Sequence, residues 1–288
     1  MKWYQDLIAQ ASEDFNRTST AISSPVVLGN IFIFMFAGHG ANANTLNFII
    51  ILLACHLGIQ TALQADVDRI LGAAPPPSEW SLDAHYPALA TSHVGAVINK
   101  ALRLFSGLQF IAKRSPATPH LLPLMSKNYV IPADTLILIN TSAIHRHPDV
   151  WPSHSRSSST SLSASSSVDD FNPGRWLHAP ADSKGEHPPD QFLKPIPGGY
   201  LPFSDGNRGC LGKRFALVEL VALVTRIFKD LSVELITDCD ANAPDETRSA
   251  RWRDAREAAV AGLSRGVEFK MSLRMTGEVP VRFVRRDS

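Results

Sequence analysis

The stretch YLPFSDGNRGCLGKRFALVEL, residues 200–220, constrains this chain more than any other. Cys210 stands between Gly206 and Gly212, where a loop gives way to an apolar-periodic helix expected over about 211–229. The unpaired N–H groups and positive dipole end of a helix start favour an anion. A thiol placed there is drawn toward the thiolate, which is a nucleophile or a metal ligand. Gly206 and Gly212 permit positive φ and remove side chains on both sides, so a flat, bulky group can approach the backbone closely. Phe203 is expected to pack beside the sulfur and shield it from water. Arg208 offers a planar fork suited to a carboxylate.

The rest of the chain narrows the choice. Its 288 residues are 44% hydrophobic and 19% charged, a globular balance with room for a substantial core. A net charge of +1 gives no bulk attraction to nucleic acid. The three cysteines, Cys55, Cys210 and Cys239, form neither a disulfide framework nor a metal-binding CxxC, which fits a reduced, intracellular setting. The sequons at Asn16 and Asn140 carry little weight beside that. A cysteine hydrolase needs a histidine beside its thiol, and none lies near Cys210 in sequence. A buried structural cysteine is the plain alternative. A flat partner that carries carboxylates and accepts a thiolate is haem.

Charges and amides interrupt the N-terminal MKWYQDLIAQASEDFN, so it does not read as a signal peptide. The apolar runs IFIFMFAG and FIIILLACHLGI are separated by HGANANT, which favours a buried core helix over a membrane span. Residues 24–71 read as a long helix followed by a shorter one that ends at Gly72. A third helix is expected over 86–105. YVIPADTLILIN, residues 129–140, reads as a hairpin turning at Pro-Ala-Asp. Residues 153–170 are low-complexity serine and read as a disordered insert, and 179–190 as a second polar loop. The tail alternates apolar and polar side chains about Thr276-Gly277, which predicts a closing hairpin. The fold class expected is mainly α with small β-sheets.

Phe203, Gly206, Arg208, Cys210 and Gly212 match the F-x-x-G-x-R-x-C-x-G signature, so the chain resembles the cytochrome P-450 family of haem-thiolate monooxygenases. Four further stretches are similar to the family in the same order. FMFAGHGANANTL (34–46) resembles the distal I helix, VINKALRLF (97–105) the K helix, FNPGRW (171–176) the meander and VPVRFVRR the last strand. The likeness covers about 25–285, the portion of that fold from the I helix to the closing hairpin, most similar to fungal members. It implies one partial domain over 1–288 with haem b held on iron by Cys210. Phe203, Gly206, Arg208 and Gly212 would form the haem loop, and Lys113 is a candidate for a propionate contact. Ala37, Gly38 and Asn42 would lie at the oxygen site. The implied partners are an NADPH reductase that donates electrons and a small lipophilic substrate, with no nucleic acid. The implied location is the cytoplasmic face of the endoplasmic reticulum for full-length members, and the cytoplasm for a chain without their anchor.

Three departures stand beside the likeness. The distal A-G-x-(D/E)-T motif becomes Ala37-Gly38-His39-Gly40-Ala41, losing the acid and threonine that deliver protons. The K-helix glutamate becomes Lys100, so Lys100, Arg103 and Arg175 replace an ion network with three cations. Lys100 is expected either to snorkel to solvent or to find another carboxylate. The upstream half of the family fold, with its anchor and the other wall of the pocket, has no counterpart here. The alternatives to an active oxidoreductase are therefore a truncated or degenerate member with impaired haem binding, and a membrane or interaction module built on the apolar helix at 26–59.

Overall fold

The computed structural model describes residues 24–72, 80–124, 126–151, 167–177, 192–238, 244–270 and 272–286. Helix α1 (Ser24–Cys55) has no charged residue along its length. Its C-terminal half is core: Phe48, Ile49 and Ile51 through Cys55 are buried. Its N-terminal half is not, because Ile31 through Phe36 are exposed around the whole helix. The expected core helix therefore holds for only half of α1. The span Val26–Cys55 is long and apolar enough to cross a membrane by composition.

His56 separates α1 from α2 (Leu57–Leu71), which stops at Gly72. There φ is +66°, a left-handed value that glycine adopts freely, and the Gly72 N–H donates to Asp68 O at 2.8 Å. The single helix expected over 86–105 is instead two, α3 (Leu82–Ala90) and α4 (His93–Leu104). Ser92 makes the break. Its Oγ accepts from Val94 N at 3.1 Å and donates to Leu89 O at 2.8 Å, an N-cap that starts a new helix.

Four antiparallel strand pairs follow. β1 (Phe110–Arg114) pairs with β4 (Leu136–Asn140), and β2 (His120–Leu124) with β3 (Lys127–Ile131). Residues 129–140 are thus not a hairpin. The turn between β3 and β4 is captured by the end of β1: Ser115 N donates to Thr135 O at 3.0 Å, and Ser115 Oγ to Pro132 O at 2.7 Å. Beyond α5 (Thr141–Arg146) and the short α6 (Gly174–Leu177), α7 (Lys213–Asp230) leads into β5 (Leu231–Leu235).

Helix α8 (Asp245–Arg265) was not signalled by periodicity, because charges surround it. Ala255, Ala259 and Leu263 form its narrow apolar stripe, and Arg256 Nε caps the end of α1 by donating to Cys55 O at 2.9 Å. β6 (Val267–Phe269) pairs with β7 (Leu273–Met275), while β8 (Val281–Arg285) pairs with β5. Thr276-Gly277 is therefore not the hairpin turn. Val233 and Leu235 are buried, so β5 offers the last strand a more apolar partner than its neighbours in sequence. The main core joins α1, α2, α4, α7, β5 and α8. A smaller one gathers Trp151, Trp176 and Ala96, with Tyr200 packed against it. Most of the serine-rich insert and all of the second polar loop lie outside the described residues, as does Cys239.

Candidate functional site

Two main-chain devices shape the loop before α7. Ser204 and Gly206 take positive φ, 59° and 75°, and Cys210 N donates to Phe203 O at 2.9 Å, closing the turn. Asp205 caps a single 3-10 turn at Gly206–Arg208 by accepting from Gly206 N at 2.8 Å. Gly209 is needed for closeness, since a Cβ there would meet Gly206 O at 3.2 Å. Cys210 lies ahead of the α7 N-cap, Gly212, and its carbonyl accepts from Lys213 N at 3.4 Å.

Cys210 is exposed, and a Cβ at Gly212 would sit 3.9 Å from its Sγ. The glycine thus keeps one approach to the sulfur clear. Phe203 packs toward the main core and leaves the sulfur open to water, which corrects the expected shielding. Leu211 beside it is 82% exposed. Arg208 is exposed, with no hydrogen-bond or ion-pair partner among the described residues. Lys113, from β1, reaches the same loop: its Nζ donates to Asp205 O at 3.4 Å.

Ala37 and Gly38 lie on the exposed part of α1, with open space around Gly38. No hydrogen bond joins them to the cysteine loop among the described residues. His39 is exposed as well. Asn42 is half-buried, and its amide donates to Glu219 on α7. Sequence reasoning passed over Glu219. Its signal was available, since it is the only charged residue between Arg214 and Arg226 in an apolar helix.

The structure does bring Lys100, Arg103 and Arg175 together, and neither escape expected for Lys100 is taken. Lys100 is 0% exposed and its Nζ has no hydrogen-bond partner among the described residues. Burial, with the charges of Arg103 and Arg175 nearby, pushes its amine down to about 6, outweighing Asp170 and Asp169. Arg103 has exchanged a carboxylate for main-chain carbonyls, donating to His145 O and Val168 O. Its guanidinium lies 4.9 Å from the Trp151 ring centroid. His145 Nε2 accepts from Leu201 N at 2.8 Å, so its neutral ring carries the proton on Nδ1. Burial pushes that imidazole down to about 4. Lys100 Nζ, Arg103 Nε, His145 Nδ1 and Trp176 Nε1 are all buried donors without an acceptor among the described residues. The shortage matches the loss of a carboxylate at position 100.

The cytochrome P-450 family model matches residues 2–255. The chain belongs to the cytochrome P-450 family. A cytochrome P-450 monooxygenase of Arthrobotrys oligospora is 26% identical over 281 residues, covering 93% of this chain and 44% of that protein. Cytochrome P-450 monooxygenase 124 of Postia placenta is 28% identical over 256 residues, with coverages of 87% and 43%. Cytochrome P-450 3A1 of Rattus norvegicus is 27% identical over 219 residues, with coverages of 75% and 36%. The chain spans less than half the length of these P-450 relatives. Among solved structures, the haem domain of cytochrome P-450DA aligns with a TM-score of 0.63 at 20% identity, over 94% of this chain and 47% of that one. The mainly helical architecture with small sheets is thus a portion of the P-450 fold.

Proposed function

We propose that residues 1–288 are a portion of one haem-thiolate oxidoreductase domain whose iron ligand is Cys210. The observation that carries this reading is the exposed Cys210 sulfur, kept open by Gly212 on a glycine-shaped loop. The residues fit the group. Gly206 and Gly209 add no side chains to the loop, and Arg208 and Lys113 would offer cations there for its carboxylates. When bound, haem with a thiolate ligand supplies dioxygen activation and insertion of one oxygen atom into an organic substrate.

The chain's own part would be to offer Cys210 Sγ as the ligand from the exposed loop ahead of α7. Electrons would come from an NADPH reductase, and the substrate would be small and lipophilic. The cytoplasmic face of the endoplasmic reticulum suits both. On the distal side Gly40 and Ala41 bring no proton donor, so proton delivery is slow and turnover poorly coupled.

A second reading, a degenerate member with impaired haem binding, is favoured by the Lys100 amine, which has no hydrogen-bond partner among the described residues. One experiment separates them. The chain is produced with haem supplied, reduced and exposed to carbon monoxide. The thiolate-ligated Soret band is expected. Absence of haem uptake, or a band without thiolate ligation, favours the second reading. Cys210→Ser should abolish the band and leave the urea midpoint of the haem-free chain unchanged, because Cys210 is exposed.

A further inference from the structure

We infer that Glu219 is a positioning residue: through Asn42 it turns the Gly38 face of α1 toward α7 and the Cys210 loop. The contact between the Asn42 amide and the Glu219 carboxylate joins residues 177 apart in sequence. It is the only hydrogen bond between α1 and α7 among the described residues. Asn42 follows Gly38 by four residues, so the two share one face of the helix. Holding Asn42 on α7 therefore steadies the orientation of α1 where it leaves the core, and with it the direction in which Gly38 opens.

Phe48, Leu220 and Val224 belong to one buried cluster that resists separation of the two helices, but that burial is non-directional and lies beyond Asn42 along α1. A hydrogen bond to a carboxylate is directional. A neighbouring asparagine braces the same stretch from another side, since Asn44 Nδ2 donates to Ser272 Oγ at 2.7 Å. The segment 38–45, with Gly40 and Ala41 in place of the family's acid and threonine, is thus tied down by two side-chain amides. Its alignment with Cys210 depends on an acid supplied from α7. The consequence for haem rests on the haem-thiolate reading above, whereas the mechanical coupling does not.

The test uses the full chain. Asn42→Asp sets a second carboxylate against Glu219 and should break the contact. The combined Asn42→Asp and Glu219→Gln variant reverses donor and acceptor and should restore it. Amide exchange in the haem-free chain is expected to quicken about tenfold at 37–46 and 203–212 in Asn42→Asp, as loss of one charge-assisted bond allows. It should return in the swapped pair, with the β1–β4 sheet unaffected throughout. Among haem-bound molecules, the thiolate-ligated fraction of the reduced carbon monoxide complex should fall severalfold in Asn42→Asp and recover in the swap. Unchanged exchange at 203–212, or a swap no better than the single variant, overturns the inference whether or not haem binds. If the parent takes up no haem, the haem-thiolate reading falls and the exchange result alone decides the coupling.

Discussion

A buried amine without a hydrogen-bond partner lowers its cost by giving up its proton, and Lys100, which has none among the described residues, is held down to about 6. In the unfolded chain the same amine titrates near the ordinary lysine value of about 10.4. Between these values the unfolded chain binds a proton that the folded chain refuses. Stability therefore rises with pH across that window, by up to about 1.4 kcal/mol per pH unit, and the full penalty is present below about pH 6. Urea midpoints measured from pH 6 to 9 should climb in the parent and climb much less in Lys100→Met. Lys100→Glu should stabilise more than Lys100→Met at pH 7, because a carboxylate would also give the cation-rich cluster an acceptor. Equal midpoints for the two variants would show that the cluster does not lack one.

At the scale of elements, the α3–α4 junction is the least forgiving part of the scaffold. A Cβ on Gly95 would lie 1.8 Å from Ala90 O, a main-chain atom that cannot step aside. Alanine gains about 1 kcal/mol of helix propensity over glycine. Overpacking against backbone costs about 1–3 kcal/mol or more, so the clash wins. Gly95→Ala should lower thermal stability, and the Ser92→Ala variant beside it should lose about 1 kcal/mol through its lost cap. Both are read by calorimetry. If Gly95→Ala is neutral, the approach of α3 to α4 is looser than described. The same junction shows what a window of sequence hides. The apolar period of 86–105 runs through Ser92 unbroken, and only the cap hydrogen bonds reveal two helices.

For the molecule as a whole, the exposed half of α1 dominates behaviour in water. Its large side chains from Ile31 to Phe36 are all about half or more exposed, a contiguous apolar surface that promotes association. The pair Phe34→Gln and Met35→Gln should increase the monomeric fraction by size-exclusion chromatography. The urea midpoint should move by no more than about 0.5 kcal/mol, because neither side chain is packed. A falling midpoint would mean that this half of α1 carries stability.

Local chemistry was legible in sequence wherever a few consecutive residues determine the outcome. The two helices over 24–71, the helix after Cys210 and the closing strand all depend on short-range spacing, and the structure places them as read. Pairing between distant segments was not legible. β4 chooses β1 and β8 chooses β5 because Ser115 and the buried side chains of β5 offer better partners than adjacent residues do. Charge compensation was hidden for the same reason. The sequence by itself determined that a thiol would stand on a glycine-bearing loop at a helix start, while its exposure, against the shielding expected from Phe203, was decided by the fold. Only the tertiary structure decided that Lys100 would be sealed in with no hydrogen-bond partner among the described residues, and that Glu219 would reach across from α7 to accept from Asn42 on α1. Burial and long-range hydrogen bonds are properties of packed neighbours, and residues far apart in sequence become neighbours only in the fold.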